Sequence, residues 1–164
     1  MFAENYKIVP VIGDYTNMGS GAVADSINMK NFHDCTFIFE LGTLSAASGI
    51  LYVYSGTTAA AETSALTFYY AFGGAAIGTA VAGSTASCDV LAAWSTSAAL
   101  TITHGTYDDY MLVVHVPATI MDLANNEEWL TAKFGDPGSV TGRVNGVAIL
   151  TPRYTGNRSG TCLA

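Results

Sequence analysis

The chain reads as an all-β protein: a β-sandwich of jelly-roll or Greek-key kind, with one short helical turn. Two observations lead there. Nine or ten short runs rich in β-branched and aromatic residues are separated by turn residues at roughly 8–12-residue spacing. No stretch keeps apolar residues in step with a helix over three turns. The 164 residues suit one domain with a real core. We read a single unit over 1–164, with an extended N-terminal arm at about 1–21 and a polar C-terminal tail at about 151–164.

The strongest fold signal is Cys35 to Tyr54, CTFIFELGTLSAASGILYVY. Cys35, Phe37, Phe39 and Leu41 fall on one face of an extended chain, and Thr36, Ile38 and Glu40 on the other. Gly42 to Gly49 supplies a turn. Ile50 to Tyr54 returns apolar on both faces, as a central or covered strand does. The stretch therefore predicts a β-hairpin. Before it, Lys7–Ile12 contains Pro10 and predicts an edge strand or an extended arm. Asp14–Gly21 predicts a loop, and Ser26–Lys30 a strand. After it, Ser55–Ser64 predicts a loop and Leu66–Phe72 a strand. Gly73–Gly83 predicts a linker with a weak strand at Ala76–Val81. Ser87–Ala93 predicts a strand with Trp94 packed at its end. Leu100–His104 and Tyr110–Val116 predict two more strands, parted by the turn GTYDD. Pro117–Leu123 predicts the helical turn, with proline at its first position. Ala124–Glu127 predicts a turn, Trp129–Phe134 a strand, and GDPG at 135–138 a turn. Ser139–Leu150 predicts one or two strands, bent at Asn145–Gly146.

Composition narrows the function. Half the residues are hydrophobic and only 12% are charged, against roughly 25% in ordinary soluble domains. So little charge, beside abundant Ala, Gly, Ser and Thr, suits a subunit whose faces are covered by neighbours. The mean hydropathy is +0.33. Yet no run of about 18 apolar residues exists for a spanning helix, so no membrane partner is expected. The net charge of −7 argues against direct nucleic-acid binding. Lys133, Arg143, Arg153 and Arg158 lie near the C-terminus while the body is acidic, which suggests contacts between subunits or with an acidic surface. Cys35, Cys88 and Cys162 have no CxxC spacing and predict neither a disulfide framework nor zinc. Cys35 and Cys88 read as small core residues within strands. The start of the chain shows no basic and apolar signal segment, so synthesis in the cytoplasm is expected.

No catalytic constellation emerges, and we expect no enzyme, cofactor or metal. His104, Asp108 and Asp109 with His115 lie close enough in sequence to suggest a metal or acid–base site, but a plain turn explains the first three, and His115 alternates with valines in a strand. Asp122, Glu127 and Glu128 lack the spacing of a calcium loop and read as a solvated turn. The serines lack a GxSxG elbow, and no phosphate-binding glycine loop occurs. Asn157-Arg158-Ser159 matches a glycosylation sequon by pattern alone. Tyr52, Tyr54, Tyr69 and Tyr70 read as core or interface residues, or alternatively as a sugar-binding surface.

The block NMKNFHDCTFIFELGTLSAASGILYVYSG, then LTFYYAFGG, TYDDYMLVVHVPATIMDLANNEEWLTAKF and VTGRVNGVAILTPRY, resembles a group of tailed-phage virion proteins over about residues 8–154. The resemblance implies a head decoration or cement protein. Such a protein would bind the outside of the major capsid protein lattice, perform no catalysis, and assemble with copies of itself, as a homotrimer, on the virion surface. Other virion positions (neck, tail or head completion) and a carbohydrate-binding sandwich are the rival expectations. Contact residues expected from this reading are Lys7, Val9 and Pro10 in the arm, Tyr52 and Tyr54 in the hairpin, and Arg143, Arg153 and Arg158 in the basic segment.

Overall fold

The computed structural model describes residues 5–45, 47–79, 82–84, 86–135, 142–154, 156 and 160–164. Among the described residues, eleven strands form two antiparallel sheets. The larger sheet has the order β1 (Lys7–Asn17), β11 (Arg143–Pro152), β3 (Phe32–Leu41), β9 (Met111–Pro117), β6 (Phe68–Phe72), β7 (Ser95–Ser97). The second runs β2 (Ile27–Asn28), β10 (Trp129–Gly135), β4 (Gly49–Gly56). Along the far side of β4 lie β5 (Ser64–Ala65) against its C-terminal half and β8 (Leu100–Ile102) against its N-terminal half.

The pairings are nested: β1 with β11, β2 with β10, β3 with β9, β4 with β8. Successive pairs fall in alternate sheets. An antiparallel ribbon folded over in this way is the jelly roll. The segment from β5 to β7 is an excursion at the ribbon's tip, and it adds two strands to the larger sheet beyond β9.

This nesting overturns the expected hairpin. β3 and β4 are consecutive but unpaired: β3 lies between β11 and β9, and β4 between β10 and β5/β8. The intervening chain crosses from one sheet to the other. Leu44 is buried within it, and Asp108 Oδ1 accepts the Leu44 N–H at 3.1 Å. The alternation itself is as read. Cys35, Phe37, Phe39 and Leu41 are buried in β3, and Leu51 and Val53 in β4. The two sheets lock through Phe39 of β3 and Phe134 of β10, whose rings meet edge to face at 5.2 Å. Phe37 stacks beside Phe39 at 5.5 Å. Each such ring, fully buried, contributes about 1.5–3 kcal/mol by leaving water.

Other differences have local causes. Asp14–Asn17 continues β1, with two register irregularities that let it follow β11 past the break at Pro10–Ile12. Of the edge strand or arm expected for Lys7–Ile12, the chain forms the edge strand. β11 is one strand from Arg143 to Pro152, unbroken at Asn145–Gly146. Gly146 faces Phe39 across the ladder, and a Cβ there would meet the Phe39 ring at 2.5 Å, so its smallness admits the ring and makes no bend. Thr151 and Pro152 belong to this strand, although the polar tail was expected to begin there. Further on, Cys162 is buried and its carbonyl accepts the Asn28 N–H at 2.8 Å, so the tail returns to the edge of the second sheet. Ser87–Ala93 is irregular, with Leu91 making one bridge to Gly73, and Cys88 is half-buried at its surface instead of lying in a core strand. The expected helical turn is a 3₁₀ turn at Ala118–Ile120, with Pro117 just ahead of its first residue and making no side-chain capping bond; further 3₁₀ turns occupy Met18–Ser20 and Leu123–Asn125. The weak strand expected at Ala76–Val81 and the GDPG turn fall in part outside the described residues, and the sequon at 157–159 lies wholly outside them.

A candidate interaction face on the larger sheet

The site begins with alternation. In β3 the residues turned away from the core are Thr36, Ile38 and Glu40. The register places Ile38 beside Val147 of β11 and Val113 of β9. Val147 lies beside Pro10 of β1, and Val113 beside Ala71 of β6. Five neighbouring strands thus set an apolar residue in the same row of the outer face. The outer face of an antiparallel sheet is ordinarily polar. Pro10 is exposed, and Val147 is 38% exposed. Toward β6 the row is buried, with Val113 7% and Ala71 1% exposed.

Around this row the surface is concave. A groove of about 1070 Å³ has Ile38, Met111 and Val147 among its lining, with Pro10 and Ile12 at the β1 end and Ile77, Cys88 and Asp89 on the excursion side. The excursion is held beside β9 by backbone bonds from Gly73 to Met111 and from Ile77 to Asp109. Polar groups at the groove are few. Asn145 donates to Glu40 at 3.1 Å, and the Ser87 hydroxyl holds the exposed Asp89 carboxyl below its ordinary range. Next to the groove, toward β7, is a hollow of about 590 Å³ lined by Thr36, Tyr69, Trp94, Val113 and His115. Thr36 and His115 bond to one another at 3.0 Å.

The second sheet differs, because the chain's own loops cover part of its outer face. The Ser26 hydroxyl bonds to Thr131 at 2.7 Å and accepts the Ala60 N–H at 2.8 Å. Glu62 pairs with Lys133 at 2.6 Å. Tyr52 and Tyr54 stack there at 5.9 Å, half-buried. Burial pushes the Tyr54 phenol up, with Glu62 adding to the effect.

The expected contact residues do not converge on one surface. Pro10 lines the groove. Val9 is 6% exposed and belongs to the core, because it alternates with Ile8 and Pro10 on β1; as a contact residue it is corrected. Lys7 donates to the Gly160 carbonyl. Tyr52 and Tyr54 lie on the second sheet, facing away from the groove. Arg143 and Arg153 are exposed at opposite ends of β11, roughly 30 Å apart at ~3.3 Å per residue, so they form no joint basic patch. Arg158 lies outside the described residues.

The acidic candidates serve the loops. Asp108 accepts the Leu44 and Gly105 N–H groups, and Asp109 accepts the Thr43 hydroxyl. Glu127, expected in a solvated turn, is 4% exposed; it accepts from Ser55 at 2.6 Å and Ser64 at 3.0 Å. Among the described residues no three His, Cys, Asp or Glu side chains are grouped to hold a metal ion, and no helix is long and apolar enough to cross a membrane. The signal for the outer face was Ile38, an apolar residue on the otherwise polar side of its strand. Val113, Val147 and Met111 carry no separate mark in sequence. No protein-family model matches the chain, and comparison with curated proteins and with solved structures finds no match.

Proposed function

We propose that this protein is a structural virion subunit, a decoration protein that binds the outer surface of a tailed-phage capsid and stabilises the major capsid protein lattice. The observation that carries the reading is the apolar row Pro10–Val147–Ile38–Val113–Ala71 on the outside of a sandwich with few charges. A monomer gains nothing from the part of the row left in water, Pro10, Val147 and the outer side of Ile38, whereas a subunit buried against a shell gains about 25 cal/mol for each Å² of apolar surface removed from water. Preference for assembled over free capsid protein then shifts the equilibrium toward the intact particle. The jelly-roll order, found in viral capsid and lectin domains, adds a fold-level analogy. Self-association as a homotrimer on the shell is part of the proposal.

The test adds the purified protein to shells that lack it and heats the particles. Wild type is expected to bind saturably and to raise the rupture temperature. Val147→Asp, at an exposed position, is expected to fold normally and bind at least tenfold more weakly. A rupture temperature that wild-type protein leaves unchanged would sink the stabilising role. Equal binding by a folded Val147→Asp variant would remove the groove as the contact.

A further inference from the structure

We propose that the hollow beneath Trp94 is a binding site for a neutral saccharide, a function separate from docking through the groove. Trp94 is 51% exposed and Tyr69 45% exposed, and both border the same hollow. The Tyr69 ring lies tilted against the His115 ring, 6.4 Å between centroids, and Tyr and Trp are enriched at interfaces where one end of the side chain is apolar and the other wet. Of the four tyrosines considered for sugars, only Tyr69 is here; Tyr70 turns to pack edge-on against Phe72 at 5.9 Å. The volume of about 590 Å³ sits within the ~300–1,000 Å³ of small-ligand sites.

The polar groups define the ligand. Thr36 Oγ1 and His115 Nδ1 satisfy one another. A neutral imidazole keeps a second ring nitrogen, and a hydroxyl keeps further capacity beyond one bond. Two of the other lining residues, Trp94 and Tyr69, carry an indole N–H and a phenol hydroxyl that can donate. Among the described residues, no cationic side chain apart from His115 and no carboxylate lines the hollow, so a phosphate or carboxylate finds no further counter-charge there. Apolar ring faces beside uncharged hydrogen-bonding groups complement a pyranose, whose C–H face stacks on an aromatic ring while its hydroxyls bond at the edge. A purely aliphatic ligand would strip water from the Thr36–His115 pair without replacing it.

The experiment is saturation-transfer NMR with the methyl glycosides of glucose, galactose, mannose and N-acetylglucosamine, alongside a glycan array. Wild type is expected to bind a subset. Trp94→Ala is expected to lose at least tenfold in affinity with an unchanged urea midpoint, and Trp94→Phe to keep most of it. Val147→Asp is expected to bind glycan as wild type does, which separates this site from capsid docking. Wild-type protein that binds no glycan in either format overturns the proposal, as does undiminished binding by Trp94→Ala.

Discussion

Cys35 lies fully buried in β3, and burial pushes its thiol well above the ordinary 9.0, with Asp34 and Cys162 pushing the same way. Cys162 is likewise raised, chiefly by burial. Near neutral pH the Cys35 thiol is protonated in both folded and unfolded chains, so its burial has no pH-dependent cost there. Above that, the unfolded chain ionises and the folded one resists, which favours unfolding. One resisting thiol removes about 1.4 kcal/mol per pH unit in that window. The urea midpoint is therefore expected to hold steady from neutrality to about pH 8.5 and to fall beyond it. Cys35→Ala should make the fall shallower; an unchanged slope would count against the assignment. The raised Tyr54 and Lys133 act in the same direction, so some slope remains. The same burial predicts thiol reactivity. With Ellman's reagent, Cys88 should react in the folded protein, and Cys35 and Cys162 only on unfolding. Fast reaction of all three would contradict the packing.

At the scale of elements, Glu127 ties the end of β4 to β5 through Ser55 and Ser64. Only two residue pairs join β5 to β4, so this carboxylate supplies much of what holds the short strand. Glu127→Ala should cost about 2–3 kcal/mol, because the buried Ser55 hydroxyl loses its acceptor. In hydrogen exchange, β5 and the Leu66 N–H should open before the rest of the second sheet. A variant with wild-type protection at β5 would show that the bonds contribute nothing there. The sequence exposes such elements unevenly. Alternation at Cys35–Leu41 identifies a strand and its core face, because period two is a local property. Whether β4 turns back on β3 or crosses to the other sheet depends on partners far downstream, Val113 and Val147 for Ile38, and nothing in Gly42–Gly49 encodes that choice. The apolar outer row is hidden for the same reason. Pro10, Ile38, Val113 and Val147 become one row only through register. Trp94 is half in water, because Ser87–Ala93 has strand-like composition but is irregular and offers the indole no strand end to pack on.

Across the whole molecule, the nested ribbon brings the two ends of the chain together as neighbouring strands. β1 pairs with β11 at seven positions from Lys7 to Asn17, and Val9, Val11 and Ile12 are buried against the interior. Most contacts in such a topology are distant in sequence, which makes loop closure the costly step and places folding in the slow range of all-β domains, milliseconds to seconds. It also makes β1 part of the fold. An arm that served only to reach a neighbour would be dispensable to the sandwich. Removing residues 6–17 instead uncovers the flank of β11 and the core beside it. Loss of three buried aliphatic side chains at ~1.5–3 kcal/mol each approaches the whole stability of a domain, about 5–15 kcal/mol. The truncated chain is therefore expected to lose its cooperative thermal transition and to expose apolar surface to a hydrophobic dye. Ile8→Lys, on the exposed side of the same strand, should keep the transition within a few degrees of wild type. A truncated protein that still melts cooperatively would make this segment an appendage, and the sandwich would have to close without it.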